Sequence, residues 1–419
     1  MNLEEPMQIT RPINYTPDEV LEDLTGKRQA YLDQQNIREL IQGKVVMVTG
    51  AAGSIGAELC QQIAGFCPLA LVGFDQAETP LFQLEQELEK GFPSLVFRTE
   101  LGNITQFDDV CRTMRQYQPS IVFHAAAYKH VSMLERHAFA AIENNILGTW
   151  RVAKAAASQG VESFVLISTD KAVRPASILG VTKRIAELTI CAMQKTEGTK
   201  FFAVRFGNVL GSSGSVVPIF KSQIAAGGPV TVTHAEMRRY FITASEACQL
   251  VLQSLALGKG GEIFVLDMGQ PVKIVDLARS LILSSGLQPD RDIKIEFIGV
   301  RPGEKLFEEV NLDSEHLVPT SHSRIRSLAS AEAVDAMRVN ASLPELEESV
   351  RARDHLHMLR LLKGMVPDYI PGSLHVEDAV SIKTNHRFAG DDEFSCTHGI
   401  EPAPVQTDEP IECASPSRV

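Results

Sequence analysis

The chain has 419 residues, 44% of them hydrophobic and 22% charged, with a formal net charge of -12. That is the make-up of an ordinary globular protein, long enough for two or three folded units around a sizeable core. The acidic balance argues against a nucleic-acid partner, which needs a clustered positive field. The seven cysteines are scattered, odd in number and without a CxxC pair. This speaks against a disulfide framework or a zinc site, so no metal is expected and a reducing, cytoplasmic setting is. No apolar run is long enough to span a bilayer, and the first five residues lack the positive and apolar regions of a signal peptide. A soluble protein with no membrane span is expected.

Residues 1–43 precede the first strand and read as an N-terminal extension, with helix starts at Pro17-Asp18-Glu19 and Asp33-Gln34-Gln35-Asn36. Residues 44–49 read as a first strand. It runs into Gly50-Ala51-Ala52-Gly53-Ser54-Ile55-Gly56 and a helix through Ala64. A GxxGxxG loop between strand and helix lets backbone approach a pyrophosphate, whose charge faces the helix N-terminus. Gly50, Gly53, Ser54, Ile55 and Gly56 are therefore candidate dinucleotide contacts; a glycine turn with no ligand is the other reading. The second strand, residues 69–74, ends in Asp75, 25 residues after Gly50. An acid at that place hydrogen-bonds adenosine ribose hydroxyls. Its charge would repel a 2′-phosphate, which favours NAD over NADP.

The pattern then repeats. Residues 79–90 form an amphipathic helix and 95–98 a third strand, after which Asn103 is placed to meet an adenine. A helix from Thr105 ends near Tyr117-Gln118-Pro119. A fourth strand, 121–124, opens into Ala125-Ala126-Ala127-Tyr128-Lys129-His130. The small Ala125 and Ala126 let a flat cofactor lie close. His124 reads as structural, whereas Lys129 and His130 follow the strand's C-terminal end and are better ligand candidates. A long helix carrying Asn144, Asn145 and Trp150 leads to the fifth strand. Strands alternating with helices at this spacing predict an α/β fold with a doubly wound, Rossmann-type parallel sheet.

The fifth strand, 164–167, is an apolar run suited to a buried parallel position, and Ser168-Thr169-Asp170-Lys171-Ala172-Val173-Arg174-Pro175 follows it. Ligands in open α/β sheets sit outside the carboxyl ends of the strands. The adjacent acid and base, Asp170 and Lys171, are thus placed to act on a substrate; a plain turn pair is the alternative. Ser177 can cap a helix over 178–194, in which Leu179 and Lys183 share a face one turn apart. A sixth strand, 201–206, ends in a small, polar loop over 207–218 whose backbone N–H groups can wrap a ligand. Then come a Gly227-Gly228-Pro229 turn, a short strand at 230–232, Arg238 and Arg239, a helix at 245–257, a seventh strand at 262–267 and a helix at 273–284. Residues 293–297 lead to Gly299-Val300-Arg301-Pro302-Gly303-Glu304-Lys305. Arg301 on this rigid turn suits diphosphate recognition, with a bland surface turn as the alternative. One or two helices follow over 340–365, and the Pro-, Ser- and acid-rich residues 370–419 read as a disordered acidic tail. The organisation expected is a dinucleotide-binding domain over 44–210, to which 240–268 return, and a smaller C-terminal substrate-binding part built from 211–239 and 269–345.

Five stretches carry a resemblance to a known family. They are Val48-Thr49-Gly50-Ala51-Ala52-Gly53-Ser54-Ile55-Gly56, His124-Ala125-Ala126-Ala127-Tyr128-Lys129-His130-Val131, Ser168-Thr169-Asp170-Lys171-Ala172-Val173, the run from Arg205-Phe206-Gly207-Asn208 to Ser215, and Arg301-Pro302-Gly303-Glu304-Lys305. With them the chain resembles the extended short-chain dehydrogenase/reductases, and within these the capsule-polysaccharide type UDP-N-acetylglucosamine 4,6-dehydratases, over about residues 35–340. Many relatives of that branch carry an N-terminal membrane domain, and this chain looks like the soluble catalytic part alone.

The resemblance implies a tightly bound NAD or NADP, regenerated each turnover, and a UDP-N-acetylglucosamine-type substrate. A homo-oligomer is the superfamily's habit. It also implies oxidation at C4, loss of the C5 proton and the C6 hydroxyl, and return of the hydride to C6. By the family's pattern Lys171 is the base at C5, Asp170 the acid at C6, Thr169 a hydrogen-bonding group near C4, and Lys183 the ligand of the nicotinamide ribose. Lys129, Asn208, Val216 and Arg301 map onto substrate-binding positions. Lys171 must be neutral for part of such a cycle; burial favours this and a neighbouring ion pair opposes it. One departure stands out, since Leu179 occupies the place where the superfamily has Tyr and the capsule branch often Met. Oxidation at C4 then needs another base, Asp170 or a water held by Lys183. Asn103, where relatives often have Asp, is a milder change. Two other functions compete with the dehydratase: a 4-epimerase or reductase on the same scaffold, which would leave Asp170-Lys171 idle, and a catalytically silent dinucleotide- or sugar-nucleotide-binding protein.

Overall fold

A computed structural model describes residues 32–194, 198–311, 316–328 and 333–372. The helix start expected at Pro17 and the tail expected beyond residue 372 lie outside the described residues. The strands are β1 (Val45–Thr49), β2 (Ala70–Asp75), β3 (Phe97–Leu101), β4 (Ile121–His124), β5 (Ser163–Thr169), β6 (Lys200–Phe206), β7 (Asn208–Val209), β8 (Val230–Val232), β9 (Arg238–Arg239), β10 (Phe241–Ile242), β11 (Ile263–Leu266), β12 (Val272–Lys273), β13 (Ile295–Phe297), β14 (Leu317–Pro319) and β15 (Ile325–Leu328). The helices are α1 (Gln34–Ile41), α2 (Ser54–Ala64), α3 (Glu78–Gly91), α4 (Phe107–Tyr117), α5 (Val131–Arg136), α6 (Ala138–Ile142), α7 (Thr149–Ser158), α8 (Ile178–Met193), α9 (Val216–Ala225), α10 (Ala244–Leu257), α11 (Ile274–Ser284), α12 (Ala333–Arg351) and α13 (His355–Met365).

Nine strands form one sheet in the order β14-β15-β11-β6-β5-β4-β1-β2-β3. From β11 to β3 every neighbouring pair is parallel, and β15 and β14 add an antiparallel edge. The order reverses at β1, which lies between β2 and β4. Alternation along the strands sends side chains to two separate cores. Val46 and Val48 of β1, Phe123 of β4, Val165 of β5 and Val204 of β6 join Ile37, Leu59, Leu84 and Val251 from α1, α2, α3 and α10. Met47, Val122, Phe164 and Ala203 face the other way, toward Val110 of α4, Val152 of α7 and Ile190 of α8. Burial on both faces is why these strands read as unbroken apolar runs. A third apolar cluster, with Phe220 of α9, Val230 of β8, Leu277 of α11 and Ile293, lies in the C-terminal part of the chain.

Several elements differ from expectation. The third strand lies at Phe97–Leu101, further along than the apolar pair Leu95-Val96, because this edge strand buries only Phe97 and alternates with Arg98 and Glu100. The long helix before β5 is broken into α5, α6, a π-helical stretch at Glu143–Gly148, and α7. Within the π stretch Asn145 is fully buried and clamps Tyr128: its Oδ1 accepts from Tyr128 N at 2.9 Å and its Nδ2 donates to Tyr128 O at 3.0 Å. The helix α8 begins as expected, with Ser177 Oγ accepting from Gly180 N at 3.1 Å. All of its sixteen residues are buried, and Val339, Leu343 and Leu346 of α12 join its apolar cluster.

One buried ionic contact ties three elements together. Glu187 of α8 receives two parallel hydrogen bonds from Arg205 of β6, Nε to Oε1 at 2.8 Å and a terminal nitrogen to Oε2 at 2.7 Å. Ser168 of β5 donates to the same carboxylate at 2.6 Å. Burial alone would raise the Glu187 carboxyl, but Arg205, with help from Arg184 and Ser168, outweighs it and holds the group below its ordinary value. Replacing one partner of such a buried pair removes the charge that balances the other, so Glu187→Gln is expected to cost about 3–5 kcal/mol in denaturant unfolding. Because the folded value is depressed, the stabilisation is complete above the unfolded carboxylate pKa of about 4.3 and disappears as pH falls through the folded value. Unfolding free energy of the Gln variant should therefore depend less on acid than that of the parent chain.

Candidate active site

The sheet's carboxyl ends gather the expected residues into two groups. The first surrounds the turn after β1. Gly50 has φ +70°, and a Cβ built there would lie 2.5 Å from Ala126 N. A Cβ at Gly56 would lie 2.0 Å from Gly50 O. The turn therefore needs glycine at both places, and it brings Ala125 and Ala126, which follow β4, against the loop. Gly53 caps α2 without a side-chain bond to its first turn, which leaves those N–H groups to meet an anion. Ile55 packs against the core beneath the loop, and Ser54 Oγ accepts from Ser213 N at 3.1 Å. Asp75, at the end of β2, accepts from Ala52 N and from Ala77 N, both at 2.9 Å, so it braces the loop it faces. Asn103 sits beyond β3, where its Oδ1 accepts from Thr105 N at 2.9 Å. These residues make a cradle open to backbone-mediated binding of a dinucleotide phosphate.

His124 is a structural group. Its ring lies between Thr49 Oγ1 at 2.7 Å and Thr149 Oγ1 at 2.9 Å, and burial, with Lys183 nearby, pushes its pKa down to about 3. Lys183 of α8 donates to Ile167 O at 2.6 Å, and burial, opposed by Glu187, pushes its pKa down to about 8. Lys129 and His130 are exposed beyond β4.

The second group stands at the end of β5. Asp170–Ala172 forms a single 3-10 turn that folds Asp170 inward. Thr169 Oγ1 donates to Asp170 Oδ1 at 2.9 Å, and Lys171 Nζ donates to the same oxygen at 3.0 Å. Lys171 Nζ also donates to Asn208 Oδ1 of β7 at 2.9 Å. Asp170 Oδ2 is buried and has no hydrogen-bond partner among the described residues. It lies where Gly207 leaves room, since a Cβ there would be 3.0 Å from that oxygen and 2.7 Å from Tyr240 O. Leu179, buried in the first turn of α8, offers no proton.

Glu308 completes this group, and sequence reading missed it. Its carboxylate is 3.9 Å from Lys171 Nζ and 3.8 Å from Arg239 Nε, and only 4% of its side chain is exposed. Burial would lower the Lys171 ammonium, but Asp170 and Glu308 outweigh it and raise its pKa, so the lysine rests charged. A cavity of about 310 Å³ adjoins, lined by Arg238, Tyr240, Pro271, Phe307 and Glu308. Arg238 Nε is buried there without a partner among the described residues. Val216 opens α9, and Arg301 is exposed on its turn. The stretch after that turn is fastened to the loop that follows β5: Lys305 Nζ donates to Val173 O at 2.9 Å, and Arg174 pairs with Glu309 at 2.5 Å. Among the described residues no group of three or more His, Cys, Asp or Glu could hold a metal ion, and no helix is long and apolar enough to cross a membrane. The five described cysteines are free thiols.

Comparison with known proteins agrees with this geometry. Residues 46–330 match the family described as polysaccharide biosynthesis protein. The chain is 49% identical over 318 residues to the "Probable polysaccharide biosynthesis protein EpsC" of Bacillus subtilis, covering 75% of this chain and 53% of that one. The chain thus spans about half the length of that relative. It is 33% identical over 284 residues to a "UDP-N-acetylglucosamine 4,6-dehydratase (inverting)" of Campylobacter jejuni, covering 66% of this chain and 80% of the other. Among solved structures, Pen from Bacillus thuringiensis superposes with a TM-score of 0.64 at 31% identity, covering 73% of this chain and 99% of that one. With this sheet, these motifs and that match, the chain belongs to the polysaccharide biosynthesis protein family and has the Rossmann-type fold of the extended short-chain dehydrogenase/reductases.

Proposed function

We propose that the chain is a nucleotide-sugar 4,6-dehydratase that converts UDP-N-acetylglucosamine to a 4-keto-6-deoxy sugar nucleotide for surface polysaccharide synthesis. One observation carries it: a buried acid, Asp170, and a partly buried base, Lys171, share a 3.0 Å contact at the carboxyl end of β5, braced by Thr169 and Asn208. The name of the Campylobacter relative supports the same chemistry. A C4 epimerase or reductase would leave this pair without work, and a silent binding protein would not need Lys171 to be held on three sides.

NAD or NADP, held along Gly50, Gly53, Ser54, Ile55, Gly56, Asp75, Asn103, Ala125, Ala126 and Lys183, would supply the hydride acceptor for C4 and the hydride donor for C6. Asp75 favours NAD. The sugar nucleotide would be held by Lys129, Asn208, Val216 and Arg301, with Arg238 reaching from the adjoining cavity. Leu179 cannot take the C4 hydroxyl proton, and we assign that step to Asp170, whose Oδ2 has no hydrogen-bond partner among the described residues and so is free to accept it. Once C4 is a ketone, the C5 proton is acidic, and neutral Lys171 removes it. Asp170 then gives its new proton to the C6 hydroxyl, which leaves as water. Lys171 returns a proton to C5 as C6 is reduced. Thr169, hydrogen-bonded to Asp170, keeps the carboxyl turned toward the sugar.

Proton NMR of the protein with UDP-N-acetylglucosamine in deuterated water should show a new 6-methyl signal with deuterium at C5. Lys171→Ala should lower that turnover by about 10²–10⁴-fold, the usual weight of a general base, with bound cofactor unchanged. Conversion to the C4 epimer with no 6-methyl signal and no deuterium taken up at carbon would establish the epimerase instead, and an unchanged spectrum with cofactor bound would establish the binding protein for this sugar.

A further inference from the structure

We propose that Glu308 is the proton acceptor for Lys171: its buried carboxylate takes the ammonium proton before Lys171 acts on C5 and returns it when the cycle closes. This goes beyond the dehydratase chemistry above and rests on it. Lys171 rests as an ammonium, and an ammonium cannot remove a proton from carbon. Its nearest carboxylate is Asp170, at 3.0 Å. With Leu179 in the helix position, however, Asp170 is already committed to the C4 hydroxyl proton, which it must keep until the C6 hydroxyl leaves. A second carboxylate is therefore needed, and Glu308 Oε1 stands 3.9 Å from Lys171 Nζ. Closing that gap by about 1 Å brings the two to hydrogen-bond distance.

The surroundings suit a carboxylate that holds a proton for part of the time. Glu308 Oε2 is buried with no hydrogen-bond partner among the described residues, so a proton there displaces no existing bond. The groups facing Glu308 are Lys171 and Asp170 from the end of β5, Arg239 from β9, and Lys305 from its own segment; Arg238 lines the same cavity. Arg239 is itself fixed, with its terminal nitrogens donating to the carbonyls of Arg238 at 2.7 Å and Lys305 at 2.8 Å. Burial raises the proton affinity of Glu308, Lys171 and Arg239 lower it, and Asp170 raises it, with a net rise.

The step balances. The N–H bond of Lys171 breaks, an O–H bond of Glu308 forms, and ammonium plus carboxylate become amine plus carboxylic acid. Asp170, Lys171, Glu308 and Arg239 sum to zero charge before and after, so no net charge is created in a dry site. At the end Lys171 has lent its proton back to C5 and is an amine again. Glu308 then returns the stored proton, and the resting ion pairs are restored. Glu308 thus acts through Lys171 and does not touch the sugar.

The test is the initial rate of C5 deuterium incorporation into UDP-N-acetylglucosamine by the cofactor-loaded full chain, from about pH 6 to about pH 10, the window that leads up to the lysine range. Wild type is compared with Glu308→Gln and Glu308→Asp. Using the ratio of rates cancels titrations common to both proteins, such as that of Lys183. Without the carboxylate the Lys171 proton must go to water. The ratio of wild type to Gln is then expected to be about 10²–10³ at neutral pH and to fall about tenfold per pH unit toward one in alkali. Glu308→Asp should run slower than wild type at a ratio that does not change with pH. A Gln variant as fast as wild type overturns the proposal, and so does a Gln deficit equal at every pH, which marks a structural role. If the Gln variant does not fold, the Asp profile decides: a constant ratio supports the proposal and a sloping one overturns it. A wild type that places no deuterium at C5 overturns the dehydratase chemistry itself, whereas turnover with an unaffected Gln variant overturns the role of Glu308 alone.

Discussion

The site depends on the buried contact among Glu187, Arg205 and Ser168. Arg205 is 1% exposed and Glu187 fully enclosed, so both charges have left water, and their bidentate match, the Ser168 bond and the Arg184 pair at 3.3 Å help offset that cost. Such a contact is weak evidence for stability and better evidence for register. Each of its members stands a few residues from a functional one. Ser168 precedes Asp170 and Lys171, Arg205 precedes Asn208, and Glu187 lies one helical turn beyond Lys183. The same three elements that meet at the carboxylate therefore deliver the proposed acid Asp170 and base Lys171, the amide partner Asn208 and the second lysine, Lys183. A sheet held by apolar packing alone tolerates small slips between strand and helix; a fork of two parallel hydrogen bonds does not.

Above that contact the chemistry is organised by charge balance. Asp170, Lys171, Glu308 and Arg239 form a chain of alternating charge in which each link is shorter than 4 Å. Glycine at 207 gives Asp170 Oδ2 its room. The fixed fork of Arg239 on backbone carbonyls anchors the stretch that carries Glu308. The segment that supplies Glu308 is long in sequence from β5, yet Lys305 and the Arg174–Glu309 pair fasten it to the loop after that strand. The proposed sugar-nucleotide contact Arg301 and the proposed proton acceptor Glu308 are thus mounted on one tethered stretch.

Much of this was legible from the residues, wherever the signal is local. The glycine turn, β1, β4 and the start of α8 with its Ser177 cap follow from spacing, apolar runs and cap chemistry. What was missed has non-local causes. β3 sits on an edge and buries one side chain, so its apolar neighbours Leu95 and Val96 drew the strand too early. β14 and β15 are three and four residues long and gain their place by pairing, β15 with β11 and β14 with β15. Glu308 and Glu309 are adjacent acids that read alike; one turns toward Lys171 and the other toward Arg174 and Lys305. Nothing in a run of two glutamates tells which will be dry.

The π-helical stretch Glu143–Gly148 has a consequence of its own. A π turn holds one residue more than an α turn, and it shifts the phase of everything after it. Here the shift lets two anchors four residues apart serve different loops: Asn145 holds Tyr128, and Thr149 holds His124 while donating back to Asn145 O. The stretch works as a vernier between the helix and the end of β4. Losing a single residue there would restore a uniform helix and turn one anchor away from its loop.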